Sequence, residues 1–204
     1  MRTSMVVASS LALALALSAC EKKTAETTTT QVTDTTSNAA ADAGNAIANA
    51  ADDVKEAVTP TPTGQEFVDK AAKSDAFEIA SAKLAATKAT SADLKSFATM
   101  MIADHTASTA KVKEAAAKAT PAIKPDAALT DDQNEKLADL GKLTGKDFDK
   151  KYADQQVDAH QDALSLMSDY ADHGDVASLK AVAGEIKPKV AAHLDKIKAI
   201  NSAL

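Results

Sequence analysis

The stretch LKSFATMMIADHTASTAKVKEAA, from Leu94 to Ala116, decides the fold. Leu94, Phe97, Ala98, Met101, His105, Ser108, Val112 and Ala116 recur at the spacing of one helical face. At about 100° per residue, His105 falls within roughly 20° of the line joining Leu94 and Val112. Its ring therefore points where a core side chain belongs. The segments on either side carry matching stripes, so the reading is an all-α bundle of four long helices with a polar group set into its core.

Upstream, Thr63-x-x-Glu66 has the form of a capping box, with Pro62 and Phe67 placed to staple the helix start. This first helix should run to about Lys88. Phe67, Ala71, Ser74, Glu78 and Ala85 share one face, flanked by Phe77 and Ile79, and Glu78 becomes a second ionisable group aimed at the core. Thr90 or Ser91 caps the next helix, so the joint is short and the two helices must lie antiparallel. Downstream, Pro121 and Pro125 stop the second helix. Thr130-x-x-Gln133 starts a short helix through Leu137 and Leu140, and Gly141 to Gly145 break it. The connection spans about 25 residues, enough to run the length of a bundle, and permits a crossover as easily as a simple turn.

The third long helix, about Lys146 to His173, presents Phe148, Tyr152, Gln156, Ala159, Ala163, Met167 and Tyr170 on one side, with His160 at the edge of the stripe. Gly174 terminates it and Asp175 can cap the last helix. There Leu179, Ala183, Ile186, Val190, His193, Leu194, Ile197 and Leu204 form the buried stripe, while Lys187, Lys189, Lys196 and Lys198 flank it in solvent. Pro188 lies opposite that stripe, where a kink is tolerated.

The amino terminus predicts where the protein resides. Arg2, the apolar run Met5 to Leu17 and the small residues before Cys20 resemble a bacterial lipoprotein signal. On this reading residues 1–19 are cleaved, Cys20 is acylated, and lipid is the attachment to the inner or outer membrane. The competing reading is an ordinary secretory signal cut after Ala19. Residues 20–62, rich in Thr, Ala and Pro, lack the apolar residues needed to offset ordering entropy and read as a flexible tether. Residues 63–204 are then the folded domain, and a single cysteine in the whole chain means it must stand on packing without an internal disulfide.

Charge and motifs narrow the function classes. The chain carries a formal net charge of −6, so it has no evident footprint for nucleic acid. There is no phosphate-binding glycine loop, no paired-cysteine metal motif and no nucleophile elbow, and no catalytic motif is recognisable.

Several runs together resemble a family. Phe67 with Glu78, then Met100-Met101-Ile102-Ala103-Asp104-His105, then Asp147-Phe148-Asp149-x-x-Tyr152 with His160, and finally His193-Leu194 look like the bacterial envelope domain of unknown function numbered 4142. The resemblance covers roughly Phe67 to Ile200. It implies a ferritin-like four-helix bundle in a secreted or lipid-anchored protein, often labelled a predicted outer membrane protein. It implies no activity.

Glu78, His105, His160 and His193 fall about 10 to 15 residues from the same bundle end if the long connection is a crossover, a slab of about 7 Å. One carboxylate and three imidazoles at one height could hold Zn²⁺, Fe²⁺ or Cu²⁺. The same four residues could instead form a satisfied polar network without metal. The chain has no Glu-x-x-His pair, which argues against a di-iron site. Asp104 reads as a boundary residue or as outer support for His105. Tyr152 reads as a core ring or as a similar outer partner, Asp147 as a stabiliser of a helix start, and His173 as a partner of a helix end.

Two functions follow. One is a lipid-anchored envelope protein with a structural or interaction role in envelope maintenance or stress tolerance, contacting a protein partner or the cell wall. The other is a periplasmic metal-binding or metal-sensing module built on the Glu/His cluster.

Overall fold

The computed structural model describes residues 60–204, which are all-α. The expected signal peptide, the expected lipidation site Cys20 and the expected tether as far as residue 59 lie outside the described residues. Five helices follow in order: α1 (Gly64–Lys88), α2 (Ala92–Ala117), α3 (Asp131–Lys142), α4 (Gly145–His173) and α5 (Ala177–Asn201). No helix among the described residues is long and apolar enough to cross a membrane.

Helix starts follow the side-chain chemistry. The Thr63 hydroxyl accepts from Glu66 N while the Glu66 carboxylate accepts from Thr63 N, and Thr130 with Gln133 repeats the device on α3. Ser91 caps α2 through a bond from Leu94 N. Asp175 does not cap α5, contrary to the sequence expectation. Its carboxylate instead accepts from the Tyr170 hydroxyl at 2.7 Å, and the helix starts after Val176 with no side-chain cap. Between α3 and α4 the chain turns at Gly145, whose φ of 61° lies in the left-handed region that glycine adopts without strain.

The packing is a ring of four long helices. α1 and α2 form one antiparallel pair, α4 and α5 another, with α1 against α4 and α2 against α5. The connection between α2 and α4 is a crossover. Near the start of α1, Gln65 Nε2 donates to the Lys124 carbonyl at 3.0 Å, and at the end of α1 Lys88 Nζ donates to the Gly141 carbonyl. Residues 118–144 therefore travel alongside α1 from one bundle end to the other, so α2 and α4 run in the same direction.

The core has two apolar halves. Around Phe67, Val112, Met167, Tyr170 and Leu179 lies one cluster, and around Leu94, Phe97, Phe148, Tyr152 and Ile197 lies the other. Most expected core positions are buried, although Ser74, Ser108 and Ala159 are only half-buried and Leu204 is exposed. His160 is fully buried at the centre of its stripe, whereas Ala159 is only half-buried, because Tyr152, Gln156 and His160 define the inward line. Leu204 is 43% exposed, since α5 ends at Asn201 and the stripe has no helix to continue on. Pro188 sits within α5, which continues through it on the exposed side.

Asp149 fastens the lower end. Its buried carboxylate accepts from Thr90 N at 2.9 Å, from Ser91 N at 2.9 Å and from the Thr90 hydroxyl, tying α4 to the α1–α2 joint. Hydrogen bonds to a charged group contribute about 1.5–3 kcal/mol each, so Asp149→Ala is expected to cost about 3 kcal/mol in urea denaturation. A cost under about 1 kcal/mol would show that water replaces these bonds without loss.

Candidate metal centre

Between the two apolar halves lies a polar layer to which each long helix contributes. Glu78 on α1, His105 on α2, His160 on α4 and His193 on α5 are all buried, Glu78 and His160 completely. The three imidazole centroids lie 5.5 to 5.8 Å apart, and one nitrogen from each ring lies within 4.8 Å of the others. Glu78 Oε2 stands 3.3 Å from His105 Nε2 and 3.5 Å from His160 Nδ1. The crossover makes this convergence possible, because it brings residues near the middle of four helices to one height. Phe97 lies against His160 and His193, with centroids at 6.2 and 6.5 Å, and helps keep that side apolar.

Each imidazole is held by its outward nitrogen. His105 Nδ1 meets Asp75 Oδ1 at 2.8 Å, and the other Asp75 oxygen accepts from the Thr109 hydroxyl at 2.8 Å. His160 Nδ1 donates to the Gln156 carbonyl at 2.8 Å, and His193 Nε2 meets Asp104 Oδ2 at 2.9 Å. The inward nitrogens, His105 Nε2, His160 Nε2 and His193 Nδ1, have no hydrogen-bond partner, and neither does either Glu78 oxygen. A neutral imidazole that donates through one nitrogen presents a lone pair at the other, a state that His105, set between Asp75 and Glu78, reaches only by losing a proton. The layer therefore offers three imidazole nitrogens within 4.8 Å of one another, with the Glu78 carboxylate beside two of the rings and each ring fixed by a carboxylate or carbonyl behind it, as in metal sites.

The outer partners differ from the sequence expectation. Asp104 supports His193 rather than its neighbour His105, because adjacent residues on a helix point about 100° apart and Asp104 faces α5. Tyr152 bonds to none of the histidines, and its hydroxyl is buried without a partner. His173 is exposed and pairs with Asp169 at 3.0 Å, away from the layer. Asp75 was not anticipated. The available signal was Asp75-x-x-Glu78, two carboxylates one turn apart, but Asp75 lies off the apolar line and reads as a solvated flank.

Charge follows from these contacts. Burial pushes the Glu78 carboxyl up to about 7, partly opposed by His105. Burial alone would lower His105, but Glu78 and Asp75 on its two nitrogens outweigh that and raise it to about 9. Burial, together with the His105 charge, lowers His160 to about 3, and burial lowers His193 as well. Burial would raise the Asp104 carboxyl, but bonds from His193 and Lys189 hold it below its usual range. Burial, and then the Glu78 charge, pushes the Tyr152 hydroxyl up.

These shifts set a stability profile for protein held in chelator. Below 6.5 and down to about 3, the unfolded chain takes a proton that folded His160 refuses, so stability falls as pH drops. From 4.5 to about 7 folded Glu78 keeps a proton the unfolded chain has lost, which offsets His160 up to 6.5. From 6.5 to about 9 folded His105 keeps its proton, so stability declines as pH rises. Urea melts are expected to show a maximum between about pH 4.5 and 6.5 and, above about pH 7 where only His105 still holds its extra proton, a decline toward pH 9 of up to about 1.4 kcal/mol per unit. A stability that climbs steadily to pH 9 would mean that His105 is not protonated between its two carboxylates.

The chain belongs to the family described as Domain of unknown function (DUF4142), whose model matches residues 19–200. No match is found among curated proteins. Among solved structures the fold is similar to CopM in the Cu(I)-bound form, with a TM-score of 0.58 and 19% identity over 70% of this chain and 97% of that one. It is also similar to CopM in the Cu(II)-bound form, with a TM-score of 0.59 and 19% identity over 70% of this chain and 98% of that one. At that identity the likeness bears on the fold.

Proposed function

We propose that this bundle is a metal-binding module that holds one first-row transition ion, copper foremost, in the layer formed by Glu78, His105, His160 and His193. The observation that carries the reading is the set of three buried imidazoles with ligand nitrogens within 4.8 Å of one another, each ring fixed from behind and the buried Glu78 carboxylate beside them. A buried carboxylate with no hydrogen bond is costly, and a cation is the partner that would offset both the charge and the missing bonds. Three imidazoles and one carboxylate suit Cu²⁺ and Zn²⁺, and among divalent ions such a set binds Cu²⁺ most tightly. The similar fold of copper-bound CopM supports placing copper first.

Bound there, the ion would supply charge neutralisation and a cross-link between four helices. Catalytic zinc sites use three protein donors and keep one position open, whereas four donors suit storage, delivery or sensing. His105 would have to release its proton to ligate, so uptake should be accompanied by proton release.

The test is metal analysis and calorimetric titration on protein purified without an affinity tag. The expected result is one equivalent of tightly held Cu²⁺ or Zn²⁺ and a melting temperature that rises with metal. Substoichiometric metal that leaves on mild dialysis, with unchanged melting, would overturn the proposal.

On this reading the module would stand in the bacterial envelope, anchored by lipid on Cys20 and separated from it by a tether. Cys20→Ala is expected to move the protein from the membrane fraction to the soluble one, because acyl chains supply the anchoring surface. Membrane retention of that variant without detergent would refute the anchor.

A further inference from the structure

Resting on the metal-centre reading, we infer that the ion reaches the buried layer from the groove between α1, α3 and α4, through a neck formed by Ser74, Ala163 and Leu166. A set of donors so deeply buried needs a way in. The helices leave two voids near it. One is a groove of about 790 Å³ on the α1, α3 and α4 side, and the other is a narrow cavity of about 30 Å³ bordered by His105 and His193. Ser74, Ala163 and Leu166 line both, so the groove and the inner cavity adjoin at these side chains. A volume of about 30 Å³ exceeds the roughly 10–15 Å³ that one water needs, so the inner cavity has room for a partly dehydrated ion beside the imidazoles.

Charge favours a cation in the groove. Asp132, Asp158, Asp162 and Asp169 line it against Lys70 and Lys136, and Lys136 is itself paired with Asp132 at 2.7 Å. At the far end stand two imidazoles that are 5% and 4% exposed, each with an inward nitrogen lacking a partner. The opposite approach, between α2 and α5, is bordered by the Lys189 ammonium held on Asp104 at 3.2 Å, a positive charge where a cation would have to pass. Clefts lined by one sign of charge raise association rates by about 10 to 10³-fold. The Asp158 and Asp162 side of the groove is the part of the wall that would provide this steering.

Stopped-flow loading of chelator-stripped protein with Cu²⁺ or Zn²⁺ tests the route, with equilibrium affinity measured in parallel. Ser74→Leu is expected to slow loading about tenfold while affinity stays within about threefold, because none of the four donors is altered. Ala163→Val provides a second obstruction should the first disturb folding. The Asp158→Asn/Asp162→Asn pair is expected to lower the loading rate and weaken its salt dependence. Unchanged rates in the neck variants would overturn the route, as would a Lys189→Met variant that alone accelerates loading. Wild-type protein that takes up no metal at equilibrium would overturn the metal centre itself, which separates the two failures.

Discussion

Glu78→Gln is expected to leave chelator-treated protein at least as stable as the wild type while lowering its affinity for Cu²⁺ or Zn²⁺ by more than about a hundredfold. The carboxylate is fully buried, and neither oxygen has a hydrogen-bond partner. The amide keeps its shape but removes a charge whose desolvation destabilises the fold, so the metal-free protein loses little. The bound form loses an anionic ligand. Losing only an outer partner of a ligand already costs about 10–100-fold, so losing the ligand should exceed that.

The readout is the metal-dependent increment in stability, which for the wild type at a metal concentration about 100 times Kd amounts to about 2.7 kcal/mol. His105→Ala, His160→Ala and His193→Ala should each remove the same increment, since ligands of one ion act together and their losses do not add. A Glu78→Gln variant that binds as tightly as the wild type would leave the three histidines as the whole site.

The second large effect belongs to the apolar half above the polar layer. Phe67→Ala should lower stability by about 3–5 kcal/mol in urea denaturation. Phe67 is completely buried and stacks on Tyr170 with centroids 4.0 Å apart and ring planes at 16°. Truncation loses both the transferred area and the aromatic pair, the latter contributing about 0.5–1.5 kcal/mol beyond burial. Much of the surrounding wall is small, including Ala71, Ala115, Ala116 and Ala183, so little can move in to fill the void. A cost under about 2 kcal/mol would mean that Met167 or another neighbour collapses into the space.

Much of the architecture was legible from local chemistry. The capping boxes at Thr63 and Thr130 and the cap at Ser91 act through residues three positions apart. Helical periodicity placed Glu78, His105 and His193 on inward faces, and burial follows from that alone once a stripe is wide enough to pack. His160 was displaced to an edge by the same rule, because Ala159 was counted into the stripe. A bulky polar ring beside a small apolar residue turned out to take the central place. Asp175 shows the opposite limit: its position suited a cap, but a tertiary partner, the Tyr170 hydroxyl, took the carboxylate.

The sequence by itself determined the helices, most of their ends, the long connection between the second and fourth, and most of the residues that face inward, because these depend on spacings within a few turns. Tertiary structure alone decided that the connection crosses the bundle, that Asp75 rather than Asp104 supports His105, and that Asp104 reaches His193 eighty-nine positions away. The physical reason is that hydrogen-bond partners on different helices are chosen by helix rotation and relative height. The core packing sets both, and no local pattern records them.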